Sequence, residues 1–392
     1  MSKLNDLIKE LCPDGVEYKP LDSFATIVRG NGLQKKDFTE DGVGCIHYGQ
    51  IYTYYGTYAY ETKSKVSVEL AETLKKVETG DLVVAVTSEN IEDVCKCVAW
   101  LGEETIVTGG HAAIIKHKQN SKYLAYYFQT EDFYKQKVKI VTGTKVMDIA
   151  PSKMGKIIIP IPPLPVQCEI VRILDNFTAL TSALTAELTA QRKRYSGFLN
   201  SLLSFEGRDA QDGVLWKKLG DAVGIKRGVR VVKAQLNEVG EYPVYQNSLT
   251  ALGNYNYFNC NANKTFLITA GAAGEIGYSY VPFWAADDCY YFECNDSGLM
   301  ERYLYYALKT RQYKLKRMVR NASVPRLGRY SIENLLIPVP SLEEQQRIVD
   351  ILDRFDKLCN DLSEGLPAEI AARQKQYEYY RDKLLTFKEK EA

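Results

Sequence analysis

The chain has 392 residues, 45% hydrophobic and 25% charged, with a formal net charge of +1. That length exceeds one ordinary core and calls for two domains plus connecting elements, and the composition excludes a disordered or fibrous protein. The balanced charge leaves nucleic acid open, because binding depends on where charge sits. No run of about twenty apolar residues could span a bilayer, so no membrane partner is expected.

The opening segment, MSKLNDLIKELCPDG, lacks the apolar run of a signal peptide, which points to the cytoplasm. A first globular domain is expected over 1–157. Its polar, aromatic stretches HYGQIYTYY (47–55) and TSEN (87–90) read as loop-borne. Tyrosine offers a stiff contact surface with a polar end, and Asn, Gln, Lys and Arg can reach base edges or phosphates. Lys35, Lys36, Tyr48, Gln50, Ser88 and Asn90 are therefore candidate DNA contacts. Cys95 and Cys97 form a lone CxC without the further ligands of a zinc tetrahedron, so no metal is expected and the nine cysteines read as reduced, partly buried thiols. A helix is expected after YLAYYFQT (123–130), with Lys135, Lys137, Lys139, Lys145, Lys153 and Lys156 set against Asp148 alone. It leads to the loop TGTK (142–145), which adds Thr144 and Lys145 to the candidates.

Residues 158–207 read as a spacer. The motif Ile159-Pro160-Ile161-Pro162 ends a strand, since proline has no N–H for the ladder. From Ile170 the apolar positions Leu174, Phe177, Leu184, Leu188, Tyr195, Phe198, Leu202 and Phe205 step by four and three, with Thr181 and Gln191 filling the gaps. That is a coiled-coil seam of about five heptads.

A second globular domain is expected over 208–335. GVLWKKLGDAVGIKRG (213–228) resembles GVEYKPLDSFATIVRG (15–30), with Arg227-Gly228 on Arg29-Gly30. RGVRVVK (227–233) and VYQNS (244–248) are expected to occupy the stretches comparable to 47–55 and 87–90, making Arg227, Arg230, Gln246 and Asn247 candidates. From Arg302 to Ile332 there are nine basic residues and no acid, with Tyr303, Tyr305, Tyr306 and Tyr313 interleaved. A helix followed by the loop RNASVPR (320–326) would present Lys316, Arg317, Arg320, Asn321, Ser323 and Arg326, with Arg317 and Arg320 expected on phosphates.

Residues 336–392 repeat the spacer. LIPVPSLEEQQRIVDILDRF (336–355) matches IIPIPPLPVQCEIVRILDNF (158–177) at a constant displacement, Pro338 lying 178 residues after Pro160. Further on, Glu369 lies 182 after Glu187, so the second copy has gained four residues around SEGLP. Its seam runs Ile348, Leu352, Phe355, Cys359, Leu362, Leu366, Ile370, Tyr377, Tyr380, Leu384 and Phe387. The insertion is a stutter, and Pro367 suits the first turn of a restarted helix. Two such copies would pair antiparallel about a pseudo-two-fold axis.

Catalytic signatures are missing. There is no GxxxxGK[ST], HExxH or GxSxG, GAAGEIG (271–277) has the wrong glycine spacing for a dinucleotide, and the only Pro-Pro lies at Pro162-Pro163 in the linker.

Two dissimilar domains, each followed by a heptad helix introduced by I-P-x-P and Q…I-V-x-I-L-D-x-F, resemble the specificity subunits of type I restriction–modification systems. Residues 160–205 look like that family's central conserved region, and 340–362 with 365–385 like its C-terminal one. Val166-Gln167-Cys168 departs from the pattern of Glu344-Gln345-Gln346. The resemblance implies an α+β fold: two repeated α/β target-recognition domains separated by a long antiparallel coiled coil, pseudo-two-fold symmetric. Each domain would read half of a bipartite asymmetric site in double-stranded DNA, and the helices would set the gap. Two modification subunits would dock on the helices and flip out adenines for N6-methylation, and two restriction/translocase subunits would complete the complex. S-adenosylmethionine, ATP and Mg would belong to those partners, leaving this chain without cofactor or catalysis. On this reading, truncation after Phe355 abolishes assembly but leaves the first domain folded. The alternatives are the specificity subunit of a related methylation or phage-exclusion system without the motor, and a coiled-coil adaptor that binds no DNA. The adaptor has no use for an acid-free basic tract.

Overall fold

The computed structural model describes residues 2–205, 207, 213–237, 239–294, 298–361 and 363–391. The expected boundary at 207/208 and the seam residue Leu362 touch or fall outside the described residues. The chain divides into two compact units, Met1–Leu184 with Ile370–Ala392, and Thr185–Glu369. In chain order its helices are α1 (Ser2–Leu11), α2 (Tyr48–Thr53), α3 (Val68–Thr73), α4 (Ser121–Tyr127), α5 (Glu131–Val138), α6 (Pro151–Met154) and α7 (Leu164–Leu203). They continue with α8 (Leu219–Ala222), α9 (Glu301–Arg317), α10 (Arg329–Glu333), α11 (Leu342–Asn360) and α12 (Leu366–Leu384).

The first unit holds two five-stranded sheets. One orders Ala25–Arg29, Ala112–His117, Leu82–Ala85, Cys97–Trp100 and Tyr58–Ala59; the other orders Phe38–Thr39, Ser64–Val66, Val43–Ile46, Ile106–Thr108 and Lys75–Val77. Leu82–Ala85 and Cys97–Trp100 are buried throughout, as continuous apolar runs covered on both faces must be. α4 and α5 start where Asn120 and Thr130 accept the N–H of Tyr123 and Phe133, satisfying donors that a helix start leaves free. The second unit repeats the plan on a smaller scale. A four-stranded sheet orders Gly224–Arg227, Cys289–Glu293, Lys264–Ile268 and Ile276–Ser279, beside a three-stranded one of Asn254–Tyr255, Tyr242–Tyr245 and Trp284–Ala285.

The sequence repeat is a repeat of the frame. In the first unit Tyr18–Pro20 pairs with Ile158–Pro160, and in the second Leu215–Lys218 pairs with Leu336–Val339. Gln167 is fully buried; its amide donates to Pro162 O at 2.7 Å and its oxygen accepts from Asn120 N at 3.0 Å. Gln345 is equally buried and makes the same two bonds, to Pro340 O at 2.9 Å and from Met300 N at 2.9 Å. Asp175 accepts from Tyr126 Oη at 2.7 Å and Lys122 Nζ at 2.9 Å. Asp353 accepts from Tyr306 Oη at 2.5 Å and Arg302 Nε at 2.7 Å.

The long helices carry the expected seam. Along α7, Phe177, Thr181, Leu184, Leu188, Gln191, Tyr195 and Leu202 are half-buried, whereas Phe198 is more exposed than Leu199 beside it. In the first unit Phe177 stacks on Tyr380 of α12, centroids 5.5 Å apart. In the second unit Phe198 stacks on Phe355 of α11 at 5.1 Å, and Arg192 reaches Cys359 O at 3.4 Å. Rising numbers on α7 there meet falling numbers on α11, so the pair is antiparallel. The inserted residues interrupt the helix: α11 ends at Asn360, the Asp361 carboxylate accepts from Ser363 N and Glu364 N, and α12 restarts with Pro367 in its first turn.

Two expectations change. α7 stops at Leu203, and Phe205 lies beyond it at φ +40°, buried in the second unit's core. Residues 370–392 are also no detachable appendage. Tyr377, Leu384 and Leu385 join the first unit's core, and Val16 N donates to Lys388 O while Lys390 N donates to Val16 O. Truncation after Phe355 therefore removes part of the first unit.

Candidate nucleic-acid interface

In the first unit, strand Ala25–Arg29 ends at Gly30, whose N–H donates to Ala112 O; a Cβ there would sit 2.3 Å from Gly109 O, so only glycine fits. Arg29 Nη2 then reaches Asp148 Oδ2 at 2.7 Å, with its Nε on Gly110 O at 3.0 Å. Asp148 closes a hairpin with Thr142 through both backbone bonds, 2.8 and 3.0 Å. Thr144 and Lys145 are exposed on its tip. The hairpin's second strand, Met147–Asp148, pairs with Thr87–Ser88. Thr87 Oγ1 lies 2.8 Å from His111 Nδ1, Tyr52 Oη donates to Thr87 O, and the half-buried Tyr48 ring packs 4.8 Å from His111. Burial lowers the His47 pKa, and the Lys35 and His111 charges nearby add to it. Lys35 and Lys36 are exposed on the turn Lys35–Asp37. These groups form one polar, aromatic rim.

Two candidates on it are corrected. Gln50 is buried, its oxygen accepting from His47 N at 3.2 Å and its amide donating to Ser64 Oγ at 2.6 Å, so it caps α2. Ser88 is buried in the ladder, its hydroxyl accepting from Asn90 N. Asn90 is exposed, but both ends of its amide bond Asp93 at 2.8 Å, closing a turn. Lys137 is likewise buried, donating to Glu92 O at 3.1 Å and Val94 O at 2.9 Å, and burial lowers its pKa. It fixes this loop and cannot touch a phosphate.

The second unit builds an equivalent rim. Gly228 N donates to Cys289 O, and a Cβ would sit 2.1 Å from Ala286 O. Exposed Arg227 donates to Asp287 O at 3.0 Å, and Gln246 lies 3.5 Å from the Asp287 carboxylate. Asn247 O accepts from Ala272 N, Ala270 bridges to Arg326, and Arg326 bridges to Arg320. Arg227, Gln246, Asn247, Arg320 and Arg326 thus lie on adjoining loops, with Arg230, Asn321 and Ser323 exposed beside them in sequence. Arg317, the last residue of α9, is exposed; Lys316 is exposed too but pairs with Glu275 at 3.3 Å.

The acid-free tract is therefore not one phosphate-facing surface. Arg302 is buried between Asp353 and Asp356, each at 2.7 Å, and packs on the rings of Tyr278, Tyr305 and Tyr306. Arg311 is buried, bonding Ala307 O and Leu203 O. Lys309 donates to Ile276 O, and Arg329 pairs with Glu333. The comparable stretches also change. Arg227-Gly228 takes the place of Arg29-Gly30, the strand Tyr242–Tyr245 leading into Gln246 takes that of Val43–Ile46 leading into His47, and TSEN is matched by the turn after Ala270.

Sequence reasoning missed Arg29, Asp148, Tyr52 and His111 as rim members. The repeated Arg-Gly was the available signal for the first of them; the rest are brought in by pairing between distant strands. Among the described residues no group of three or more His, Cys, Asp or Glu is placed to hold a metal ion, and no helix is long and apolar enough to cross a membrane. The nine cysteines are free thiols, seven of them buried; burial pushes Cys45 and Cys95 up to about 12.

Comparison with known proteins gives a consistent result. The family profile described as the type I restriction modification DNA specificity domain matches twice, at residues 13–193 and 213–372. A putative type I restriction enzyme specificity subunit of Haemophilus influenzae is 28% identical over 95% of this chain and 96% of that protein. An Escherichia coli type I restriction enzyme specificity subunit is 35% identical over 59% of this chain and 63% of its own length. The crystal structure of the type I restriction–modification S subunit from Mycoplasma genitalium superposes with a TM-score of 0.62, covering 95% of this chain and 96% of that one at 17% identity.

Proposed function

The chain belongs to the type I restriction modification DNA specificity family, and on that premise we propose that each of its globular domains reads one half of a bipartite DNA site through the rim described above. The observation carrying this is the placement of the rims. Arg29-Gly30 and Arg227-Gly228 anchor loops that gather exposed cations and amides at equivalent positions on a repeated frame. Arg317, Arg320, Lys35, Lys36 and Lys145 supply sequence-independent phosphate contact or base readout, and Tyr48, Thr144, Asn247, Asn321 and Ser323 supply further polar contacts. Helices α7, α11 and α12 set the gap and carry the docking surface for two modification subunits. Restriction/translocase subunits complete the assembly, in the cytoplasm. S-adenosylmethionine, ATP and Mg act in those partners, and this chain contributes recognition without catalysis.

The test is co-expression with the modification subunit, followed by methylation mapping. A bipartite adenine-methylated motif that appears only when this chain is present is the expected result. DNA binding that is absent, or insensitive to salt, would contradict the reading.

A further inference from the structure

The hairpins that close the two rims share a closing bridge and differ in electrostatics, and in backbone at the second position, where Gly143 has φ +107° and Asn321 has no positive φ. Thr142 and Asp148 exchange both backbone hydrogen bonds, and Asp148 is neutralised by Arg29. The second hairpin lies 178 residues later at both ends, where Arg320 and Arg326 exchange bonds of 2.9 and 3.2 Å. Residues directly opposite in such a pair project from the same face, with Cβ atoms about 5 Å apart. The frame puts Arg227 where Arg29 stands, so the ion pair of the first copy becomes arginines alone in the second. Among the described residues neither Arg320 nor Arg326 forms an ion pair, and both are exposed. Of the acids on neighbouring loops, Glu275 pairs with Lys316, the Asp287 carboxylate lies 3.5 Å from the Gln246 amide, and half-buried Asp288 forms no ion pair with either arginine among the described residues. Ala270, opposite Arg326 on its other side, adds only a methyl group to that face.

Like charges placed directly opposite destabilise a ladder, so the arrangement calls for acceptors from outside the chain. Two guanidiniums on a narrow β-ribbon suit the major groove, where the arginine fork matches guanine O6 and N7. The unpaired cations of the first rim, Lys35, Lys36 and Lys145, are all ammonium groups without that fork. We propose that Arg320 and Arg326 are specificity-determining residues that read guanine in the half-site of the second domain, while the first domain reads its half-site without arginine. This rests on the DNA-recognition function proposed above.

The test maps the methylated motif by long-read sequencing in cells co-expressing the modification subunit with the native chain, with Arg320→Lys or with Arg326→Lys. The second domain's half-site is the one retained when residues 15–150 are exchanged for those of another family member. Guanine is expected in it. At least one variant should lose about 10- to 100-fold of the preference for that guanine. The other half-site and the gap should persist, which also reports that the variant is folded. The salt dependence of binding to a duplex carrying the mapped motif should stay the same, because lysine keeps the charge. A half-site without guanine, or a preference intact in both variants, overturns the assignment. A native chain that directs no methylation overturns instead the recognition function on which it rests.

Discussion

Lys122 in the first domain and Arg302 in the second occupy the same place on the frame, and both are bound to the aspartate of the following helix, Asp175 or Asp353. Asp148 and Arg326 also occupy the same place, yet one is neutralised by Arg29 and the other is left among arginines. Where the domains hold the long helices, a changed side chain keeps its job. Where they face outward, a changed side chain changes the job. Repetition in the sequence therefore marks the frame and divergence marks the reading surface, and each experiment below cuts between those two.

The largest effect is expected from depriving the first unit of residues 370–392, which a truncation after Phe355 also removes. Burial of Tyr377, Leu384 and Leu385 stabilises by about 1.5–3 kcal/mol per large apolar side chain, a sum comparable to the whole stability of a domain. Fragment 1–184 should show no cooperative thermal transition by circular dichroism, and joining 370–392 through a flexible linker should restore one. A cooperative melt of 1–184 alone would show that the frame does not need the returning helix.

Next comes a change in the frame that spares both rims. Inserting or deleting four residues within 178–190 nearly preserves helical phase. It should abolish modification at the original site, replacing it with one that has the same two half-sites and a different number of unspecified base pairs. Exchanging 15–150 should do the reverse, altering one half-site and keeping the gap. Altered bases after a spacer edit would break the division between frame and rim.

Much of the frame was legible. The constant displacement identified Gln167 and Gln345 as equivalents, the heptad steps placed Thr181 and Gln191 on the seam, and Pro367 marked the restart of the second helix. The rims were legible as regions but not residue by residue. Arg302 sits in a run without acids, and its partners Asp353 and Asp356 are 51 and 54 residues away; charge counted along the chain cannot see them. Gln50 and Ser88 look like base readers, but one is needed to cap a short helix and the other lies in a buried ladder. In each case a long-range partner or a local backbone donor claimed the side chain.

Arg302→Met should destabilise the full chain by about 3 kcal/mol, since it leaves two carboxylates facing a buried site. Lys122→Met should cost less, about 1 kcal/mol, because one carboxylate rather than two loses its partner. Urea melts measure both, and the salt dependence of DNA binding should be untouched. A flattened salt dependence without loss of stability would return Arg302 to the reading surface.

The smallest effect concerns Arg317, which is exposed at the end of α9 and makes no ion pair among the described residues. A cation on a phosphate releases about one condensed counterion, so Arg317→Ala should lower the slope of log K against log salt by about one unit, and equally for cognate and unrelated duplexes. Lys145→Ala on the opposite copy's hairpin should do the same if both rims grip the backbone alike. The two substitutions differ in what lies beside them. Arg317 adjoins a hairpin already rich in arginine, whereas Lys145 is the lone cation on its own, with Asp148 held by Arg29. The first domain therefore has less charge in reserve, and Lys145→Ala should weaken binding by the larger factor at a given salt even though the slopes change equally. Fluorescence anisotropy over a salt series on one duplex reads both quantities at once. Equal slopes with unequal affinities would sharpen the contrast between the rims, and a change in base preference from either substitution would mean that these side chains read sequence.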